Sequence, residues 1–284
     1  MKKNVLVTGG AGFIGSHLCS FLSNANKNLI VIDDLSSGKN SRLLPETKFI
    51  KSKVQDVNTN ELPKKIDVIF HLGEYSRVEN SFNDPDAVIK NNLNSCSSAL
   101  KIARMTGAKF IYSGSSTKFG DNGSNKYDSP YALSKYLNTE LVNQYCRWFA
   151  MKYAIAYFYN VYGPGENATG EFATVIAKFI DRARKHQDLE ITLPGSQQRN
   201  FTHIDDTVRG LSVIAEKGQG DDYGIASDES YSIIDVAKQI SPNITFTPAK
   251  RGNRKFAQVN NHKTKQLGWM PQENLNDYIK KQIT

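Results

Sequence analysis

Cysteine is scarce and scattered. The 284 residues hold three, Cys19, Cys96 and Cys146, far apart in separate apolar stretches. An odd, unclustered set argues against a disulfide framework or a zinc site and fits buried packing residues in a reducing compartment. Long apolar runs are missing as well: no stretch approaches the roughly 18 residues that a membrane span needs. The apolar opening of MKKNVLVTGGAGFIG is broken at Thr8, Gly9 and Gly10 before a signal-peptide core can form. A cytoplasmic protein with no membrane partner is expected. There is no internal repeat, no low-complexity tract, and no block of Lys or Arg interleaved with aromatics. Lys plus Arg number 36 against 28 acids, a net charge of +8. That diffuse excess suits a polyanionic ligand in general, and does not mark nucleic acid as a partner.

What the chain does have is material for a core. Hydrophobic residues make up 39% and charged residues 23%, which suits one large α/β unit or a core domain with a smaller partner. Short apolar runs at Asn4–Thr8, Leu29–Asp33, Lys48–Ile50, Val68–Leu72, Lys109–Ser113 and Tyr153–Tyr159 read as strands. Helical patterns lie at Phe13 to about Asn24, Ala87–Met105 and Tyr131–Ala150. Buried strands alternating with helices predict a Rossmann-like, doubly wound parallel sheet. After Val161 the turn Tyr162-Gly163-Pro164-Gly165 changes the pattern. Beyond it come a helix at Thr174–Lys185, a strand near Leu189–Leu193, a helix at Thr207–Glu216 and a polar, irregular tail. The expected division is a sheet domain over 1–162 and a smaller C-terminal lobe over 163–284.

Two motifs carry chemistry on their own. TGGAGFIG, Thr8 to Gly15, follows a strand and opens a helix. Gly9 allows the tight turn, Gly12 lets backbone approach a pyrophosphate, and Gly15 lets helix and strand pack closely. The helix N-terminus, with Phe13 and Ile14 in its first turn, faces the negative charge. Asp33 ends the next strand, where a carboxylate accepts both ribose hydroxyls and repels a 2′-phosphate; Asp34 is the neighbouring alternative. NAD is therefore expected over NADP. In YALSK, Tyr131 and Lys135 stand one helical turn apart on one face, so an ammonium lies beside a phenol. A nearby cation favours phenolate, which makes Tyr131 a usable base for a hydroxyl proton.

Further segments complete a pattern: FIYSGSSTKFG (Phe110 to Gly120), YFYNVYGP ending its strand at Asn160, His71-Leu72-Gly73, QQRNFTHIDD (Gln197 to Asp206) and LGWMP (Leu267 to Pro271). With the GxxGxxG spacing, the chain resembles the extended short-chain dehydrogenases/reductases, and more narrowly the NAD-dependent nucleotide-sugar epimerase/dehydratase family. The resemblance runs from Val5 to about Pro271. It implies that Tyr131 is the base, that Lys135 also holds the nicotinamide ribose, and that Ser115 hydrogen-bonds the reacting oxygen beside Thr117. It implies Asn160 on the sugar or diphosphate, Leu72 and Gly73 as small backbone beside the cofactor, and Asn92 steadying the serine loop. Arg199 would clamp the diphosphate, a task suited to its planar fork. Arg254 resembles a second clamp, with Lys250 and Arg251 as rivals. The family also implies a homodimer built from the helix that carries YxxxK and the helix before the fifth strand.

Departures from the pattern surround the sugar. The slot of the family's adenine-binding Asp holds Lys53, for which the backbone of Val54 or nearby Asp56 can substitute. Glu74, Tyr75 and Arg77 replace small residues, and the loop Asp121–Pro130 is short. A 4,6-dehydratase usually carries an Asp-Glu pair where this chain has Ser116 and Thr117, and a glucuronate decarboxylase a Glu at the Thr117 slot. A 4-epimerase needs neither. The reading is therefore 4-epimerisation of a nucleotide sugar, UDP-linked before others. The alternatives are a 4,6-dehydratase, a keto-sugar reductase or a non-catalytic NAD-binding protein.

Overall fold

The structure, a computed structural model, describes residues 2–25 and 27–283. The first half runs β1 (Asn4–Thr8), α1 (Phe13–Asn24), β2 (Asn28–Asp33), β3 (Lys48–Lys51), β4 (Val68–His71), α2 (Pro85–Thr106), β5 (Lys109–Ser115), α3 (Pro130–Trp148), β6 (Tyr153–Phe158) and β7 (Val161–Tyr162). The remainder adds α4 (Val175–Arg184), β8 (Leu189–Thr192), β9 (Gln198–Asn200), β10 (Thr202–His203), α5 (Ile204–Lys217), β11 (Gly220–Ile225), β12 (Ser230–Ser232), α6 (Ile233–Ile240), β13 (Ile244–Thr247), α7 (His262–Gln266) and α8 (Leu275–Ile283).

Seven strands form one parallel sheet in the order β11-β6-β5-β4-β1-β2-β3, as expected for a doubly wound fold. Side chains alternate across it. On β1, Leu6 enters the core shared with Cys96 and Leu100 of α2 and Val142 of α3. Val5 and Val7 enter the opposite core with Leu18 and Leu22 of α1 and Val208 and Leu211 of α5. A third apolar cluster, from Tyr162 to Ile279, joins α4, β8, α6 and α8. The chain turns back between β1 and β4, and at such a switch point a crevice opens beyond the strand ends. The three cysteines are free and buried. Among the described residues no helix is long and apolar enough to cross a membrane.

Local signals set the helix starts. Ser129 caps α3, its side chain accepting from Ala132 N at 3.0 Å with Pro130 in the first turn, so Tyr131 stands at the helix start. Asp84 caps α2 in the same way, with Pro85 following. The tail expected to be irregular instead supplies β11, the sheet's seventh strand. Its Gly220-Asp221-Asp222 opening is polar and its register shifts before Tyr223, which hides the strand pattern. Lys118 holds that opening, at 2.7 Å from Asp221 and 2.9 Å from Asp222.

Candidate active site

A cleft of about 490 Å³ lies at the switch point. Gly9, at φ +70°, turns the chain out of β1, and a Cβ there would come within 2.8 Å of Gly73 backbone. A Cβ at Gly15 would meet the Gly9 carbonyl oxygen at 2.1 Å, so α1 packs this close only with glycine. Gly12 precedes α1 without a side-chain cap, which leaves first-turn N–H groups to face the cleft beside Phe13 and Ile14. Asp33, Asp34, Val54, Leu72 and Gly73 complete this end. Asp33 Oδ2 accepts from Ala11 N at 2.9 Å and Oδ1 from Leu35 N at 2.8 Å, which fixes the carboxylate. Lys53 lines the cleft next to Val54.

Ser115, Thr117, Tyr131, Lys135 and Asn160 line the middle. Asn160 is held at φ +38°, a conformation Asn tolerates, with its Nδ2 on Asn200 O at 2.9 Å. Arg199 and Arg254 close the far end. Arg199 donates to Asn253 Oδ1 at 2.7 Å and Arg254 O at 2.8 Å, and Arg254 to Ser116 Oγ at 3.1 Å. Burial, with Arg254 adjacent, pulls the Arg199 guanidinium down to about 9, and burial lowers Arg254 too. Such desolvated cations favour an anion. Of the rivals to Arg254, Lys250 is paired with Glu79 at 2.7 Å, and Lys250 and Arg251 line a shallower neighbouring hollow.

Asn92 stands apart from the cleft. It is fully buried in α2, its Oδ1 accepting from Tyr75 N at 2.8 Å and its Nδ2 donating to Ser134 at 2.9 Å. It steadies the loop after β4, whereas the sequence suggested the serine loop. Glu74 also differs from expectation: it lies beneath Lys135, 2.5 Å from its Nζ, and is tied into the protein. Its unusual position in the sequence was legible; its partner was not, because a β4 loop and a helix 61 residues away must fold together first. Arg77 lies in the cleft with its Nε buried and, among the described residues, without a hydrogen-bond partner.

Residues 5–226 match the family model of the NAD dependent epimerase/dehydratase family. The chain is similar to a dTDP-D-glucose 4,6-dehydratase of Dictyostelium discoideum, 32% identical over 84% of this chain and 61% of that one. It is similar also to a UDP-N-acetyl-alpha-D-glucosaminuronate decarboxylase of Bacillus cytotoxicus, 29% identical over 92% and 86%. The crystal structure of a UDP-glucose 4-epimerase from Thermotoga maritima with UDP-glucose superposes at TM-score 0.90, 28% identical, over 99% of this chain and 97% of that one.

Proposed function

The chain belongs to the NAD-dependent epimerase/dehydratase family, and from that premise we propose that it inverts carbon 4 of a nucleotide-linked sugar. NAD is the cofactor of this family, and the residues suit it: a glycine-to-glycine approach at Gly9 and Gly73, an uncapped α1 N-terminus, and the fixed Asp33 carboxylate. Bound there, NAD would supply reversible hydride transfer. Tyr131 removes the proton of the sugar 4-hydroxyl, Ser115 hydrogen-bonds the same oxygen, and Lys135 lends its charge to the phenol and its remaining N–H to the ribose. Arg199 and Arg254 take the diphosphate, UDP before other nucleotides, and Asn160 steadies the sugar between them. On this reading the substrate lobe is drawn from residues 163–284 without α5 and β11, which join the sheet and its core.

One observation carries epimerisation over elimination. Dehydration needs a free acid and base beside the sugar. The acids lining the cleft are Asp33 and Asp34 at the β2 end, Glu79, paired with Lys250, and Glu74, bound to Lys135. The two positions that follow Ser115 hold Ser116 and Thr117, neither of them an acid. The test is incubation with UDP- and dTDP-sugars, with products followed by NMR. Intact 4-epimers are expected; dehydrated, decarboxylated or reduced sugars without them would refute the reading.

A second reading concerns the sugar itself. Arg77 forms no ion pair among the described residues, and its Nη2 binds only the Phe172 carbonyl. Its cation and Tyr131 share the cleft. A guanidinium without an ion pair there, with Glu166 and Glu171 acting on it only through space, favours a sugar bearing a carboxylate. The same panel tests this: a uronate should outcompete its neutral counterpart, and Arg77→Ala should abolish that preference.

A further inference from the structure

The Glu74 side chain is 2% exposed, and four donors converge on it. Lys135 Nζ at 2.5 Å and the Tyr112 hydroxyl at 3.0 Å reach Oε2. Asn138 Nδ2 at 2.9 Å and His71 Nε2 at 3.1 Å reach Oε1. The His71 proton can be assigned from its other side. Thr8 Oγ1 accepts the N–H of Leu72 and of Gly73, at 3.2 and 3.1 Å, so its own proton goes to His71 Nδ1 at 2.8 Å. Nε2–H then donates to Glu74. Burial alone would raise the Glu74 carboxyl, but the Lys135 ammonium and the His71 N–H outweigh it and hold it below the usual carboxylate range. Cys96 is near the same carboxylate from α2, its thiol pushed well up by burial.

Lys135 is therefore not a bare cation. One N–H goes to Glu74, Ser113 Oγ is at 3.5 Å, and the Tyr112 ring centroid lies 4.5 Å from Nζ. The cations that face Tyr131 are Lys135, Arg77 and Arg254. Among them only Lys135 carries a buried carboxylate at hydrogen-bond distance.

We propose that Glu74 is a positioning residue for Lys135: it pins the ammonium and cancels part of its charge, and so raises the pH at which Tyr131 works as a base. The proposal rests on the reading of Tyr131 as that base, and its test needs no substrate. NAD-loaded protein labelled with carbon-13 at the tyrosine ζ position is titrated by NMR, with the Tyr131 signal assigned by its loss in Tyr131→Phe. Glu74→Gln keeps the shape and removes the charge, so the Tyr131 titration midpoint should fall by about one pH unit or more. In any active enzyme the acid limb of kcat/KM should move with it. If Glu74→Gln does not fold, Glu74→Ala, which leaves room for water around the ammonium, should give the same downward movement. A midpoint that stays put or rises overturns the proposal, including when turnover drops equally at every pH, the mark of a merely structural residue. A moved midpoint in a protein that yields no 4-epimer would instead count against the epimerase reading alone.

Discussion

Thr117 donates twice to one oxygen: its backbone N–H at 3.3 Å and its hydroxyl at 2.9 Å both reach Ser115 Oγ. With its acceptor capacity taken, Ser115 can offer its own proton only as a donor, and it lines the cleft beside Tyr131. Ser115→Ala should therefore lower kcat by about 10- to 100-fold, somewhat below the loss of a dedicated oxyanion donor. Thr117→Val removes only the hydroxyl that orients Ser115 and should cost less than about tenfold, the worth of one ordinary hydrogen bond. Steady-state kinetics on the productive nucleotide sugar checks the order; a Thr117→Val loss as large as that of Ser115→Ala would make Thr117 the direct contact.

Tyr131→Phe keeps the ring and deletes the base. Turnover should fall about 10²- to 10⁴-fold while NAD and nucleotide-sugar binding persist. Lys135→Ala should harm more than turnover, because it strands the buried Glu74 carboxylate. Removing one partner of a buried pair costs about 3–5 kcal/mol. Urea unfolding should register that loss for Lys135→Ala and not for Tyr131→Phe. Near-normal turnover in Tyr131→Phe would move the base elsewhere.

Much of this site could be read from the chain because its signals are local. TGGAGFIG specifies a strand end, a turn and a helix start within eight residues of sequence, and Tyr131 and Lys135 meet one helical turn apart. Signals that depend on distant partners were hidden. Glu74 read as a change in the sugar pocket, yet its charge is directed at Lys135. Arg254 could not be separated from Lys250 until the fold paired Lys250 with Glu79. The opening of β11 is polar because its two aspartates share the ammonium of Lys118, over 100 residues earlier.

Asp33 should make the protein choose NAD over NADP. Its carboxylate is fixed by two backbone N–H donors and borders the cleft, where a 2′-phosphate would meet like charge. Calorimetry should find NAD bound at least about tenfold more tightly, the effect of 1.4 kcal/mol. Asp33→Ala should weaken NAD and narrow the gap. Equal affinities in the unaltered protein would rule this out.

A homodimer through α2 and α3 is the expected assembly. Met105, Leu137, Trp148 and Phe149 are exposed on or just past these helices, while Leu141, Val142 and Tyr145 pack inward. Light scattering at micromolar concentration should give twice the chain mass, and Leu137→Glu should halve it. A monomer mass for the unaltered chain would sink the assembly.

Glu166 should give the fold a pH dependence of its own. It follows β7, its Oε2 accepts from Gly163 N at 2.9 Å, and its Oε1 is buried with the Thr174 hydroxyl beside it. Burial pushes its carboxyl up to about 7. The folded chain thus keeps this proton to higher pH than the unfolded chain, whose glutamates titrate near 4.3. Between those two values the native state binds more protons, so stability should fall as pH rises from about 4.5 to about 7 and then level off. The full loss is on the order of 3–4 kcal/mol. Glu166→Gln stays neutral throughout and should escape it. Urea unfolding at pH 5 and at pH 8 should therefore favour the variant by a margin that grows with pH. Parallel stabilities at both pH values would mean that Glu166 is ionised in the fold, with the charge of Arg77 acting to hold it so.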